Sequence, residues 1–332
     1  MDKAAVQNNT ARPRVARQRA FMIGSLMLLM LAVVLAAAAM FGAERLPLFD
    51  LTPLQRSIFF DIRLPRILLG ASVGASLAVA GAGLQSLLRN PLAEPYLLGV
   101  SNGAALGTMA AFVFFSNFDL ARPLLAFAGA GIATIAVYQM ARTRAGMNVE
   151  RLVLSGVIVT TFLSSVIVML TTLLDAAKLR SFTFWLLGDL SQATLTGFYL
   201  SFGAVAIGTL VIFSQARALN LMMIGERDAA DFGVETGRVR LLVFSAASLV
   251  VGAAVAASGS VGYVGLIVPH LIRMSVGSDN RMVVPFSAIG GAIFVVAADT
   301  IARTAIAPRE LPVGAITALA GAPLFIYLLR KR

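Results

Sequence analysis

The chain has 332 residues, of which 58% are hydrophobic and only 13% charged, with a mean hydropathy of +0.86. Soluble domains run nearer half apolar and a quarter charged, so these values exclude a soluble protein. The lack of cysteine excludes disulfides, thiolate metal sites and cysteine nucleophiles, and a single histidine, His270, leaves no multi-histidine metal cluster.

The first segment, Met1–Ala20, carries Lys3, Arg12, Arg14, Arg17 and Arg19 ahead of an apolar run from Phe21 to Gly42. That run is too long for the core of a signal peptide and more hydrophobic segments follow, so it reads as a retained first span behind a basic cytoplasmic tail, residues 1–20. Further spans read as Leu64–Leu88, Tyr96–Phe115, Leu120–Met140, Leu152–Leu174, Ala193–Phe213, Leu241–Ser258, Gly262–Val276, Val283–Ile301 and Leu311–Leu329. The seventh and eighth are short and meet at Ser258-Gly259-Ser260, where glycine marks a break. At about 20 residues per bilayer crossing, ten spans use about 200 and leave no separate catalytic domain of ordinary size. The expected fold is therefore all-α and polytopic, with residues 21–332 forming one ten-helix transmembrane domain.

An even number of spans puts both termini on one side, where Arg330-Lys331-Arg332 joins the N-terminal arginines. With that side cytoplasmic, the inner segments carry a net charge of +10 and the outer ones +1, out of a total of +11. The basic excess is positive-inside bias, not a nucleic-acid footprint. Small-residue runs such as Gly70-Ala-Ser-Val-Gly74, Gly81-Ala-Gly83 and Gly290-Gly291 suit close helix packing in lipid.

Four segments stand out from the apolar background. Residues 216–233, in the longest loop after the N-terminal tail, read as two short helices broken at Gly225. Glu226 and Asp228 suit the positive end of a helix dipole, Arg227 lies between them, and Gly233 suits the position just past a helix end. Ala229 and Ala230 flank Phe232 and are small enough to seat the backbone in a groove on another protein; an interfacial amphipathic loop is the alternative, which the acidic start disfavours. Asp61-Ile-Arg-Leu-Pro-Arg66 opens the second span, with Asp61 as a cap, Pro65 in the first turn, and Arg63 and Arg66 three apart on one face. With Arg303 they are candidates for gripping carboxylates of a docking protein. The alternative is that they reach headgroups or pair with Asp61 and Asp299.

The third segment, Arg89–Gly103, contains Asn90, Pro91, Ser101 and Asn102 in a proline-rigid, non-helical entry that either lines a route or buttresses one. The fourth, Gly262–Arg273, carries His270, read as a hydrogen-bonding residue in preference to a proton relay or haem ligand. No Gly-x-x-x-x-Gly-Lys-Ser/Thr pattern occurs, so the chain does not bind ATP through a P-loop. Few ionisable residues fall at mid-span, which argues against a proton- or ion-coupled carrier and places any energy source on another chain.

Together these segments resemble the permease subunits of the vitamin B12, haem and ferric-siderophore importers, the type II class of ABC importer. The resemblance runs from Asp61 to the C-terminus through Arg63-Leu-Pro-Arg66, Asn90-Pro-Leu-Ala-Glu-Pro95, Leu98–Gly103, Trp185-Leu-Leu-Gly188, Gly225-Glu226, Gly262–His270, Ala298–Arg303 and Gly321-Ala-Pro323. It implies the type II permease fold in a bacterial inner membrane, a second copy of the chain, two ATPase subunits holding ATP and Mg, and a periplasmic or lipoprotein binding protein. No cofactor, metal or nucleic acid is expected on the chain itself, and no enzymatic activity. It assigns residues 225–233 to ATPase coupling and Arg63, Arg66 and Arg303 to binding-protein docking. The departures are Phe232, where relatives often carry leucine, and Asp189 after Trp185-Leu-Leu-Gly188; with Asn90, Pro91, Ser101 and Asn102, Trp185 and Asp189 are candidates for the translocation path or gate. The implied cargo is an iron chelate, haem or ferric siderophore. Cobalamin is the alternative, and a secondary carrier acting alone is the runner-up from another class.

Overall fold

The computed structural model describes residues 3–330 except positions 43, 45, 48, 49, 116, 117, 119, 144 and 145; the side chains of 3–17, 328 and 329 are also left aside. The terminal basic residues Lys3, Arg12, Arg14, Arg17, Lys331 and Arg332 therefore lie outside the described side chains. Helix α1 (Lys3–Met40) continues the first span back through the expected tail, so no break separates the two. After it, α2 (Pro53–Ser57) starts on a capping box: the Thr52 hydroxyl accepts the Gln55 N–H at 3.3 Å, and the Gln55 side chain accepts the Thr52 N–H at 3.1 Å. A π-helical stretch, Ile58–Arg63, joins α2 to α3 (Leu64–Leu87) without interruption. Asp61 therefore caps nothing. It lies inside the run and accepts the Ser57 hydroxyl at 2.6 Å.

The expected third span divides at Gly99, whose φ of 74° closes a 3-10 turn over Pro95–Leu98 before α4 (Val100–Phe114) begins. Next come α5 (Ala121–Ala141), a small antiparallel hairpin pairing β1 (Arg142–Thr143) with β2 (Gly146–Met147), and α6 (Val149–Thr171). A helix not expected from hydropathy, α7 (Ala176–Leu186), precedes α8 (Leu195–Ser214). The loop helices α9 (Ala216–Ile224) and α10 (Glu226–Asp231) lead to α11 (Thr236–Ser258), α12 (Val264–Val276), α13 (Asn280–Thr304) and α14 (Val313–Arg330). Polar caps start several of these: Asn148, Asp175, Thr194 and Asp279 each accept a first-turn N–H of the helix that follows. Among the described residues, seven helices are long and apolar enough to cross a bilayer, and three shorter apolar helices, over 100–114, 264–276 and 313–327, stand where the remaining expected spans fall. The ten-span reading accounts for all of them.

The centre of the bundle is α3, packed against α11, α12 and α13. Two contacts explain the glycines there. A Cβ at Gly74 would collide with the Gly291 carbonyl of α13, and one at Gly81 with the Gly265 carbonyl of α12, so backbone meets backbone at both points. Helix α3 and helix α13 run in opposite senses, which gives the bundle an arginine end, at Arg63 and Arg303, and a loop end, at α9 and α10.

Candidate functional site

At the arginine end, the expectation of free, outward guanidinium groups is not met within the chain. Arg63, Arg66 and Arg303 are only 4–6% exposed. Arg66 grips Asp299 of α13 through Nε at 3.0 Å and Nη2 at 2.9 Å, and its Nη1 reaches Glu310, in the connection from α13 to α14, at 2.8 Å. Arg303 approaches the other Asp299 oxygen at 3.5 Å and donates to the Ala38 carbonyl of α1 at 2.7 Å. Arg63 donates to the carbonyls of Ala39, at 2.8 Å, Met40, at 3.1 Å, and Glu44. For Arg66 and Arg303 the cause is Asp299, 2% exposed, whose buried carboxylate needs cationic partners and finds Arg66 across the helix interface and Arg303 one turn on along its own helix. The three arginines thus tie the end of α1 to α3, α13 and the connection after it. Glu310, with 43% of its side chain exposed, is the polar face of that cluster.

At the loop end the bipartite reading of 216–233 holds: α9 and α10 meet at Gly225, and Gly233, with φ at 81°, turns the chain out of α10. The Gly233 N–H bonds the Ala230 carbonyl at 2.8 Å and the Val234 N–H the Ala229 carbonyl at 3.0 Å. Glu226 faces inward, to Arg240 of α11 and, at 3.9 Å, to Arg89 beyond α3. Ala229, three residues on and on the same face, is fully buried in the core of the chain itself. It therefore offers nothing to a partner, contrary to expectation. The outward face carries Arg227, Asp228, Ala230 and Asp231 between Ile224 and Phe232, each 74% exposed. These are two large apolar side chains held out from the short α9–α10 segment, and Ile224 was not singled out in the sequence.

The remaining candidates separate by place. Asn90 builds a turn, its side chain accepting the Leu92 N–H at 2.9 Å, and Pro91 lines a cavity of about 330 Å³ with Gln85, Arg89, Met223, His270 and Arg273. Both sit beside the loop helices. Ser101 donates to Ser260 at 3.1 Å, and Asn102 binds α6 through Ser164 at 2.6 Å and the Thr160 carbonyl at 3.1 Å. Trp185 stacks on Phe182, and Asp189 caps Ser191 while its N–H bonds the Ser258 carbonyl at 2.8 Å. Ser101, the 185–189 turn and the start of α14 therefore converge on the 258–263 connection, where the Tyr96 hydroxyl accepts the Val261 N–H at 2.9 Å. Sequence reading missed three residues here: Tyr96; Glu94, which accepts the Tyr263 N–H at 3.1 Å; and Arg240, which also donates to the Met147 carbonyl at 2.9 Å. Glu94 and Tyr96 did stand in the proline-marked segment that drew attention.

Comparison with known proteins gives the family of the chain. The model of the FecCD transport family matches residues 21–331. The hemin transport system permease protein HmuU of Yersinia pestis is 37% identical over 98% of both chains. The cobalamin import system permease protein BtuC of Halobacterium salinarum is 44% identical over 86% of this chain and 76% of its own. The iron(3+)-hydroxamate import system permease protein FhuB of Bacillus subtilis is 38% identical over 84% of this chain and 73% of its own. A solved metal-chelate type ABC transporter in an inward-facing conformation superposes with a TM-score of 0.85 at 30% identity, over 96% of this chain and 100% of that one. A multi-pass bundle with these landmarks, matched along nearly its whole length, belongs to the FecCD transport family, the permease subunits of type II ABC importers.

Proposed function

We propose that the chain moves an iron chelate, haem or a ferric siderophore, from a binding protein across the inner membrane by alternating access, without chemistry on the cargo. The observation that carries the cargo class is the match to a hemin permease over 98% of both chains. In this reading the loop end is cytoplasmic, with both termini, and the arginine end faces outward. Two copies of the chain pair in the membrane and two ATPase subunits, which hold ATP and Mg, seat against the α9–α10 segment. What supports the seat is the pair of exposed side chains Ile224 and Phe232 around a short capped helix. Burying such a side chain contributes about 1.5–3 kcal/mol. Docking of the binding protein on the outer face is supported by its fixed shape: Arg63, Arg66 and Arg303 brace the helix ends from within and leave Glu310 outward. Nucleotide-driven closure of the ATPases drives transport only if the loop is bound differently in the two states.

The 44% identity with a cobalamin permease favours a second reading, the same machine importing cobalamin. The complex reconstituted in vesicles with its binding protein and ATPase should accumulate haem or a ferric siderophore on ATP addition and leave cobalamin outside. Uptake of cobalamin alone overturns the iron-chelate reading in favour of the second.

A further inference from the structure

The loop segment has two halves, and each half has its own anchor in the bundle. Glu226 ties α10 to Arg240 and Arg89. Helix α9 is held elsewhere, through Asn220. The Asn220 side-chain oxygen accepts both the backbone N–H and the side-chain NH₂ of Asn280, each at 2.9 Å. Its own NH₂ donates to Asp279 at 2.6 Å. Asn220 therefore shares with Asp279 the capping of α13 from a different helix, satisfying an N–H that the helix start leaves free.

The chain of contacts continues inward. Asn280 is fully buried, and its side-chain oxygen accepts the Ser86 hydroxyl of α3 at 2.7 Å and Arg273 of α12 at 3.3 Å. Arg273 also donates to Ser86 Oγ at 2.7 Å and to the Ala82 carbonyl at 3.1 Å. Both lone-pair directions and both donors of the Asn280 amide are thereby used, the second donor pointing at the Met223 sulfur of α9 at 3.5 Å. One amide on α9 thus connects to α13, α3 and α12, the three helices that meet backbone to backbone. The cavity of about 330 Å³ beside Met223 leaves open space on one flank of this junction.

We propose that Asn220 is a positioning residue of the transport cycle: it makes α9 one rigid body with the start of α13, so that displacement of the loop is delivered to α3, α12 and α13. Displacement of α10 is delivered separately, through Glu226, to α11 and the α3–α4 connection. This inference rests on reading the loop as the seat of the ATPase.

The test uses the full permease–ATPase complex in vesicles, with cargo transported per ATP hydrolysed as the readout. Asn220→Ala removes two half-buried hydrogen bonds to Asn280 and an exposed one to the Asp279 carboxylate. Together these are of the order that changes an equilibrium about tenfold, so the ratio is expected to fall about tenfold. Asn220→Asp sets two carboxylates against each other and should do the same, while Asn220→Asp with Asp279→Asn restores one donor facing one acceptor and should recover the ratio. The chain has no cysteine, so Asn220→Cys with Asp279→Cys gives a unique pair. Uncross-linked, the pair should be uncoupled; joined by a short bifunctional thiol reagent, it should regain coupling. Inhibition on cross-linking, or a parental ratio in all single variants, overturns the proposal. The underlying reading fails separately: if Phe232→Glu leaves ATPase binding intact, the loop is not the seat at all.

Discussion

The two ends of the bundle solve the same problem with different chemistry. At the arginine end, three guanidinium groups and Asp299 are buried together, so helices α1, α3 and α13 are joined by full charges. At the loop end, α3, α9, α12 and α13 are joined through the neutral amides of Asn220 and Asn280 and the Ser86 hydroxyl, with the half-buried Arg273 and the exposed Asp279 carboxylate at the margins. A buried charge stranded by movement costs several kcal/mol, whereas a neutral hydrogen bond nets about 1 kcal/mol. The charged end is thus built to stay shut and the amide end to be re-formed cheaply. That contrast fits a machine driven from its loop side.

The largest expected effect breaks the charged end. Asp299→Ala leaves Arg66 and Arg303 without their shared counter-charge, and should lower stability by about 3–5 kcal/mol. Thermal unfolding in detergent measures it, and an unchanged transition would mean the cluster contributes no cohesion. Next, Phe232→Glu removes one exposed apolar contact of the loop end and should weaken ATPase association about ten- to hundredfold, read by co-purification or titration. Stability of the isolated chain should hardly move, because Phe232 touches little of its own fold. Smallest is Glu226→Gln. Its carboxylate is 40% exposed, so loss of the ion pairs to Arg240 and Arg89 should cost no more than about 1 kcal/mol in stability. A cost like that of Asp299→Ala would erase the distinction between the ends.

Much of the fold was readable because a bilayer imposes one rule on its spans: among the described residues seven helices meet it outright and three shorter apolar helices fill the remaining expected spans. The loop was readable too, since Gly225 and Gly233 punctuate it and Glu226 and Asp228 mark the start of a helix. The fate of the arginines was not. Spacing of three puts Arg63 and Arg66 near one face of a helix, but the π-helical stretch before Arg63 changes the turn; the counter-ion of Arg66 lies 233 residues along the chain, and Arg63 meets main-chain carbonyls instead. Local pattern carries no information about such a partner. Ala229 failed for a related reason: a small residue in a loop helix suits an external groove and an internal one equally, and Glu226 decides which face turns in. Asn220 and Asn280 are 60 residues apart and individually unremarked amides, significant only as a pair.

The contacts of Gly74 with Gly291 and of Gly81 with Gly265 carry a consequence for variation in this chain. With main chain resting on main chain there is no rotamer left to adjust, so even a single added methyl must push two helices apart. A library randomised at those four codons and sorted for membrane insertion should return almost nothing but the parental triplet's amino acid.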